Sequence, residues 1–324
     1  MTWLVTGGAG YIGGHVVASL IREGEQVVVI DDLSTGRAEV VPDGVELVVG
    51  SILDTAALDE AFSHGVTGVI HIAGFKYAGV SVDEPLHTYE QNVVAMVRLL
   101  EAMERHQVST ILFSSSAAVY GDVDVPLITE DQPKNPASPY GESKLIGEWI
   151  IRDQAHARNL AHSSLRYFNV VGSGVAGIYD TSPYSLTSLV FGALKDGRRP
   201  KVFGSDYPTR DGSCVRDYLH VQALADAHVV AAKKLAAGEP LLPAYNLGSG
   251  VGSSVKEVMA TVAKVTGIDF TPELVDRRPG DPATVVASGD LAERDLGWSM
   301  SVSLEEMLGS AWREFAAAHG VSSG

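Results

Sequence analysis

The sequence predicts an α/β protein: a doubly wound parallel Rossmann-type sheet with a smaller C-terminal α/β lobe for the substrate. Three observations support this. The N-terminal segment reads strand, glycine-rich turn, helix, which is the local order of a dinucleotide-binding fold. Strand and helix patterns then alternate as far as residue 113, which is typical of a parallel sheet. The chain has 324 residues, which is long for one compact core and favours an additional lobe.

The first element is an apolar strand over residues 3–6 that runs directly into a glycine-rich turn. Gly7 allows the tight turn, Gly10 lets a pyrophosphate approach the backbone, and Gly13 lets the following helix pack closely. Residues 14–21 have apolar positions that suit a helix packed on a sheet. Glycines in a turn often do no more than allow the chain to reverse direction. A strand before them and a helix after them, however, favour a nucleotide site.

The second strand, residues 26–30, ends at Asp31. This is about the distance at which dinucleotide-binding folds place an acid for the adenosine ribose 2′-hydroxyl. A carboxylate there would repel a 2′-phosphate, so the sequence favours NAD over NADP. Arg37 leaves NADP open, although a solvated loop arginine is the simpler interpretation.

Further strands are predicted at 45–49, 68–72 and 110–113, with helices at 56–62 and 85–106 between them. In such a sheet, ligands bind at the carboxyl ends of the strands. The serine cluster of residues 114–116 and the lysine at position 76 follow two of these ends. His71 lies inside an apolar strand, and we interpret it as a core histidine.

Tyr140 and Lys144 are four residues apart on a predicted helix, so they share one face. A tyrosine with its ordinary pKa of about 10 is a poor base at neutral pH unless a nearby cation favours the phenolate. Lys144 is the candidate cation, and Ser116 is the candidate hydroxyl that binds the same substrate oxygen. Taken alone, this spacing also fits two surface residues of an amphipathic helix.

Charge and composition exclude several classes of protein. The 24 Lys and Arg stand against 40 Asp and Glu, a formal net charge of −16, so no nucleic acid and no anionic membrane partner is expected. Cys214 is the single cysteine, which excludes an intrachain disulfide and a thiolate zinc cluster. We predict no metal site and no membrane-spanning segment. We expect an unprocessed cytoplasmic protein.

Five segments together resemble the extended short-chain dehydrogenase/reductases, and the similarity runs almost the full length of the chain. They are residues 5–13, 113–121, 138–144, 165–172 and 203–221. The last two resemble the branch of that family that epimerises UDP-hexoses at C4. The resemblance implies NAD as cofactor and a UDP-sugar as substrate.

Site residues are carried over from the family by position. The resemblance implies Tyr140 as catalytic base, Ser116 as its hydrogen-bonding helper, and Lys144 as the group that tunes the tyrosine and anchors the nicotinamide ribose. The implied NAD contacts are Gly7, Gly10, Tyr11, Ile12, Gly13, Asp31, Ser51, Ile52, Ala73, Lys76, Asn92, Ser114, Tyr140, Lys144 and Tyr167. The implied substrate contacts are Lys76, Ser116, Tyr140, Phe168, Asn169, Arg216, Arg278, Asp281 and Val285.

The resemblance assigns the UDP diphosphate to Arg216 and Arg278. These arginines would otherwise be taken for surface ion pairs, but so acidic a protein needs local cations to hold a diphosphate, and the planar guanidinium suits it. Asp281 would bind a uridine ribose hydroxyl.

The residues after Ser116 separate reactions within the family. Dehydratases typically have acidic residues there to eliminate water, whereas Ala117 and Ala118 cannot move protons. The sequence therefore favours reversible epimerisation of UDP-glucose and UDP-galactose through a 4-keto intermediate. Two alternatives stay open: an epimerase of another nucleotide sugar, such as UDP-glucuronate or a nucleotide-linked N-acetylhexosamine, and a non-catalytic NAD-binding regulatory or scaffold protein.

Three positions depart from the family pattern. Ser51 replaces an aspartate near the adenine. Residues 184–188 replace an Asn-Leu pair and a proline, so phosphate contacts from that segment are not expected. Val285 stands where relatives have either a tyrosine or a small side chain, and a small side chain there admits an N-acetyl group. We therefore expect UDP-N-acetylglucosamine to be accepted too.

The expected domains are an NAD-binding domain over residues 1–170 and a UDP-sugar-binding lobe over residues 171–324. Segments near 215–250 are expected to return to the first domain. Two long helices, over residues 86–106 and 140–158, keep apolar faces, which relatives pair across a two-fold axis. We therefore expect a homodimer.

Overall fold

A seven-stranded parallel sheet forms the body of the protein, in the computed structural model that describes residues 1–278 and 281–321. Its strand order is β10-β6-β5-β4-β1-β2-β3. The strands of the protein are β1 (Thr2–Thr6), β2 (Gln26–Asp31), β3 (Glu46–Val49), β4 (Gly68–His71), β5 (Thr110–Ser116), β6 (Ala161–Tyr167), β7 (Asn169–Val171), β8 (Lys201–Phe203), β9 (Val215–His220), β10 (Ala244–Leu247), β11 (Gly252–Ser254), β12 (Glu273–Val275) and β13 (Thr284–Val285). The parallel, Rossmann-type sheet predicted from the sequence is confirmed.

Helices cover both faces of this sheet and support the lobe. They are α1 (Tyr11–Arg22), α2 (Thr55–Ser63), α3 (Ala78–Asp83), α4 (Pro85–Tyr89), α5 (Ala95–Arg105), α6 (Pro139–Arg158), α7 (Leu186–Lys195), α8 (Val221–Ala236), α9 (Val255–Thr266), α10 (Asp290–Leu296) and α11 (Leu304–His319). One buried apolar cluster joins α1 and α8 to one face of the sheet. A second joins α2 and α5 to the other face.

The lobe has a core of its own. Strands β7, β9, β11 and β13 form a four-stranded sheet, and β8 pairs with β12. Helices α7, α9 and α11 pack on them around Phe191 and Trp312. The chain leaves the main sheet after β6, forms part of the lobe, and returns as α8 and β10, which pairs with β6. The carboxyl ends of the central strands therefore face the lobe.

The structure corrects three predicted boundaries. Helix α1 begins at Tyr11, so the last glycine of the turn is already helical. The predicted helix over 85–106 is interrupted by a π-helical turn, Glu90–Val94. The apolar spacing of residues 219–236 predicts a helix, but α8 begins at Val221: residues 219 and 220 belong to β9, and the His220 side chain caps α8 by accepting a hydrogen bond from Gln222 N–H. Among the described residues, no helix combines the length and apolar character needed to cross a membrane.

Three buried histidines each use a ring nitrogen as a hydrogen-bond acceptor, and burial lowers the pKa of His15 to about 4, of His71 to about 3 and of His228 to about 4. The donors are Gly174 N–H to His15 at 3.0 Å, the Thr6 hydroxyl to His71 at 2.7 Å, and the Ser114 hydroxyl to His228 at 2.8 Å. The interpretation of His71 as a core histidine is confirmed.

These histidines should make the fold sensitive to acid. Because their pKa values are lowered on folding, the unfolded chain takes up protons first as pH falls below about 6.5, the usual value. Their neutral forms therefore stabilise the fold fully above that pH, and the contribution is lost toward pH 4. Each histidine can contribute a slope of up to about 1.4 kcal/mol per pH unit. His228→Gln should lower the dependence of the free energy of unfolding on pH, measured by urea denaturation between pH 7.5 and 5.

His64 is exposed, so His64→Gln is the matched control and should keep the parental slope. An unchanged slope in the His228 variant would show that the fold does not lower the pKa of this ring.

Candidate active site

The glycine turn after β1 forms a close-packed anion cradle. Gly7 has φ +72°, and a Cβ there would lie 2.9 Å from Ala73 N. A Cβ on Gly13 would lie 2.0 Å from the Gly7 carbonyl oxygen. Gly10 is the N-cap of α1, so the N–H groups of Tyr11, Ile12 and Gly13 have no carbonyl acceptor within the helix. This positive helix end suits a pyrophosphate.

The carboxylate of Asp31 lies at the end of β2, beside the cradle. It is buried and accepts hydrogen bonds from Ala9 N–H at 3.0 Å and Leu33 N–H at 2.9 Å. Burial raises the pKa of the Asp31 carboxyl, and these two N–H groups act in the opposite direction. Each oxygen keeps a lone pair for a ribose hydroxyl.

Arg37 is engaged away from that position. Its Nη2 donates to the Gly177 carbonyl oxygen at 2.7 Å, and its guanidinium lies 4.8 Å from the centroid of the Tyr179 ring. These contacts support an NAD site rather than an NADP site.

The ends of β3 and β4 carry the next predicted cofactor contacts. The Ser51 hydroxyl accepts a hydrogen bond from Leu53 N–H at 3.2 Å, and Ile52 is buried. Ala73 N–H donates to the Thr6 hydroxyl at 3.1 Å, which holds the end of β4 against β1. Lys76 is exposed, with Nζ 5.8 Å from the centroid of the Tyr77 ring.

Asn92 lies in the π-helical turn, a feature that often marks functional sites. Its side chain accepts from Phe75 N–H at 2.7 Å and donates to the Phe75 carbonyl at 2.9 Å and the Ser143 hydroxyl at 2.8 Å. Asn92 therefore ties the loop after β4 to α6.

The end of β5 and the first turns of α6 bring the three candidate catalytic residues together. Ser138 caps α6 and Pro139 occupies its first turn, which suits a helix start. Lys144 Nζ is buried and donates to the Ser114 carbonyl oxygen at 2.9 Å. It lies 5.9 Å from the centroid of the Tyr140 ring. The Ser116 hydroxyl lies close enough to the Tyr140 phenol to lower its pKa.

Burial dominates the electrostatics of this trio. It raises the pKa of the Tyr140 phenol, and the nearby Ser116 hydroxyl acts in the opposite direction. It lowers the pKa of the Lys144 ammonium to about 8. Burial also raises the pKa of Tyr167, with a smaller contribution from Tyr140. The protein alone therefore keeps Tyr140 protonated, and the expected phenolate needs a further positive charge in the site.

A cavity of about 540 Å³ lies in the lobe; among the described residues its lining runs from Phe168 to Asp281 and does not include Ser116, Tyr140, Lys144 or Lys76. Tyr167 pairs with Ser116 in the sheet, and the next two residues, Phe168 and Asn169, line the cavity. The other predicted substrate residues in its lining are Arg216, Arg278 and Asp281. Asn169 Nδ2 donates to the Asp217 carbonyl at 3.0 Å, which fixes the amide at the wall.

The cations of this cavity are held by neighbours. Arg216 forms a salt bridge with Asp281 and donates Nη1 to the Val215 carbonyl at 2.8 Å. The guanidinium of Arg278 lies 3.9 Å from the centroid of the Phe203 ring. Both arginines therefore have defined orientations before any anion binds.

Val285 lies outside this lining, as judged over the described residues. It is paired in β13 with Arg216 on β9. Its side chain packs with that of Phe168 against a small apolar cluster that contains Val119 and Tyr120. Val285 thus lies between the cavity and the segment that follows Ser116.

Sequence reasoning missed part of the cavity wall. Arg198, Arg199 and Lys201 line it, as do residues 184–187, for which phosphate contacts were not expected. The Ser185 hydroxyl caps α7 by accepting from Ser188 N–H at 3.3 Å. Two adjacent arginines in so acidic a chain could have indicated an anion-binding site. Their position at the cavity, however, follows only from the tertiary packing of the lobe.

The chain is similar to known proteins over its whole length. The model of the NAD dependent epimerase/dehydratase family matches residues 3–248. A UDP-glucose 4-epimerase of Corynebacterium glutamicum is 43% identical, with 96% of this chain and 95% of that protein covered.

Two solved structures extend the similarity to the fold. A UDP-glucose 4-epimerase from Stenotrophomonas maltophila with bound NAD and formylated UDP-arabinopyranose has a TM-score of 0.94 at 34% identity, covering 99% of this chain and all of that one. One from Bifidobacterium longum in complex with NAD⁺ and UDP has a TM-score of 0.91 at 34% identity, with the same coverage.

Proposed function

Since the chain belongs to the NAD-dependent epimerase/dehydratase family, we propose that it interconverts UDP-glucose and UDP-galactose by NAD-dependent epimerisation at sugar C4. The observation that carries this function is the convergence of Ser116, Tyr140 and Lys144 at the end of β5, next to the end of β6, from which the chain continues into the wall of an arginine-lined cavity. The segment that follows β6 would thus join a proton-transfer group to a site for a diphosphate.

The protein offers a cradle that fits NAD. Gly7, Gly10 and Gly13, with the N–H groups of Tyr11 and Ile12, would hold its pyrophosphate. Asp31 would hold the adenosine ribose, with Ser51 and Ile52 near the adenine. The remaining proposed contacts, around the nicotinamide ribose and ring, are Ala73, Lys76, Asn92, Ser114, Tyr140, Lys144 and Tyr167. We propose residues 1–170, together with segments near 215–250 such as α8 and β10, as the NAD-binding domain.

In the proposed reaction, Tyr140 removes the proton from the sugar 4-hydroxyl while Ser116 hydrogen-bonds the same oxygen. When bound, NAD supplies the acceptor for the C4 hydride and a positively charged nicotinamide ring that favours the Tyr140 phenolate. The resulting 4-keto sugar turns within the site. The same hydride would return to the opposite face of the ketone, and Tyr140 would return the proton, so no net oxidation would occur. Lys144 holds positive charge near the phenol and fixes the end of β5.

The lobe, residues 171–324, would hold the UDP group. Arg216 and Arg278 would bind the diphosphate, with Asp281 on a uridine ribose hydroxyl. Lys76, Phe168 and Asn169 would face the sugar phosphate and the sugar. Firm binding at the UDP end would let the sugar turn without leaving.

Dehydration of the sugar is disfavoured by the segment that follows Ser116. Elimination of water needs an additional acid and base at the sugar. Ala117 and Ala118 form the turn there, with Ala118 N–H donating to the Ser116 hydroxyl at 3.1 Å. Neither side chain can transfer a proton.

Incubation of the purified protein with UDP-galactose and no added cofactor tests the proposed function. We expect UDP-glucose to form, because NAD is regenerated in each turnover and should remain bound. No conversion, with or without added NAD, would refute the function.

Val285 should permit an N-acetylated substrate. Its small side chain leaves room where a tyrosine would crowd the sugar 2-position. We expect kcat/KM on UDP-N-acetylglucosamine within about 200-fold of that on UDP-glucose, the span of discrimination that a pocket achieves by size alone. Val285→Tyr should lower the N-acetylated rate selectively. A parental rate on that substrate roughly a thousandfold or more below the rate on UDP-glucose would contradict this assignment.

A homodimer through α4, α5 and α6 is the proposed assembly. These helices expose large apolar side chains: Leu86 is 82% exposed, Val97 39% and Trp149 47%. Large exposed apolar side chains on neighbouring helices suit a protein–protein interface. Light scattering at micromolar concentration should give the mass of a dimer, and Trp149→Glu should shift it toward the monomer. A monomeric mass for the unsubstituted protein would contradict the assembly.

We propose a cytoplasmic location, consistent with the single cysteine.

A further inference from the structure

Three successive turns of α6 contact the end of β5. Tyr140, Lys144 and Glu148 are spaced four residues apart and share one helix face. Lys144 Nζ donates to the Ser114 carbonyl oxygen at 2.9 Å, and the Tyr140 phenol lies close enough to the Ser116 hydroxyl to be influenced by it. Glu148 completes the series, because its Oε1 accepts a hydrogen bond from the Ser115 hydroxyl at 2.6 Å.

Glu148 is itself fixed by a buried arginine. Arg166 Nε donates to Glu148 Oε1 at 2.8 Å, and its Nη2 donates to Oε2. The Arg166 side chain is 6% exposed and the Glu148 side chain 10%. Arg166 also donates Nη1 to the Tyr120 hydroxyl at 2.9 Å, and Tyr120 donates to Asn246 Oδ1 at 2.7 Å. The carboxylate therefore has a fixed position relative to β5, β6 and β10.

A buried ion pair is a weak source of stability, because the cost of desolvating both charges offsets their attraction. It does fix geometry. A displacement of about 1 Å in a reacting group can cost about a hundredfold in rate. Ser115 and Ser116 are adjacent, so an anchor on the Ser115 hydroxyl limits where the Ser116 hydroxyl can lie.

We infer that Glu148, held by Arg166, is a positioning residue that anchors Ser115 and thereby keeps the Ser116 hydroxyl on the Tyr140 phenol. This inference rests on the proposed function and extends the site to a third turn of α6. Glu148 acts through Ser115 and does not itself exchange a proton with the substrate.

Ser115→Ala is the most direct test, since it removes the anchoring hydroxyl and leaves the ion pair in place. We expect kcat on UDP-galactose to fall about tenfold to a hundredfold with bound NAD retained. The acid limb of the pH profile of kcat should move to higher pH, because a displaced Ser116 no longer favours the phenolate. Ser163 is the matched control, as a buried strand serine that donates to the Leu242 carbonyl at 2.9 Å. Ser163→Ala should keep the parental kcat and profile.

A second set of variants separates position from stability. Glu148→Leu and Arg166→Met each leave one charge buried without its partner and should lower the urea midpoint of unfolding strongly. The double variant removes both charges and should recover most of that midpoint. Its kcat should nevertheless stay at least about tenfold below the parental value, because Ser115 has lost its acceptor.

Two results would overturn the inference: a parental kcat and pH profile in Ser115→Ala, or a double variant that recovers both stability and kcat. If the single variants fail to fold, Ser115→Ala and the double variant still decide the matter. A parent protein that does not convert UDP-galactose would refute the proposed function itself, so the two failures are distinguishable.

Discussion

Tyr140→Phe is expected to lower the turnover of UDP-galactose by about two to four orders of magnitude, the usual effect of losing a general base. Phenylalanine keeps the ring at the start of α6 and removes only the hydroxyl whose pKa is lowered by Ser116. NAD should therefore remain bound. The measurement is kcat together with the NAD content of the denatured protein.

Tyr89→Phe is the control for removal of a phenol near the same helix. The Tyr89 hydroxyl bonds the exposed Glu142 carboxylate and not Ser116, so its loss should leave kcat near the parental value. An active Tyr140→Phe protein would refute Tyr140 as the base. Loss of NAD from that variant would instead assign the tyrosine a binding role.

Gly13→Ala should abolish stoichiometric retention of NAD. The added Cβ would lie 2.0 Å from the Gly7 carbonyl oxygen, so α1 or the glycine turn must move. Overpacking of this kind costs about 1–3 kcal/mol, which corresponds to about 5- to 150-fold weaker binding if the cost falls on the NAD-bound conformation. The NAD content after gel filtration measures the effect, and added NAD should restore part of the activity.

Gly192 lies in α7, where a Cβ would meet no atom within 4 Å among the described residues. Gly192→Ala should therefore keep the parental NAD content, and it should stabilise the fold slightly through helix propensity. Full NAD retention by Gly13→Ala would show that the cradle can relax and that the fit of its glycines is not what holds the cofactor.

The sequence predicted the elements whose signals are local. The turn from Gly7 to Gly13 needs glycine for steric reasons that hold in any fold, and the Tyr140–Lys144 spacing places both residues on one helix face. The end of β2 at Asp31 followed from an apolar run and its length. These features make up the proposed cofactor-binding and proton-transfer part of the site.

Features that depend on tertiary contacts were not predictable. The sequence of the π-helical turn at Asn92 continues the apolar spacing of the helices on either side, so the spacing does not reveal the turn. A reason for the turn appears only in the hydrogen bonds between Asn92 and Phe75. Arg166 and Glu148 lie eighteen residues apart on a strand and a helix, so their pairing follows from packing alone. The basic residues of the cavity wall reach it through the fold of the lobe.

Reversible oxidation at C4 inside one site is the central claim, and the fate of the C4 hydrogen tests it most directly. UDP-galactose deuterated at C4 should give UDP-glucose that keeps the deuterium at C4 after turnover in ordinary water, because the hydride that leaves returns to the same carbon. Product that has lost the deuterium to solvent would show that the C4 hydrogen leaves as a proton, and it would contradict the account.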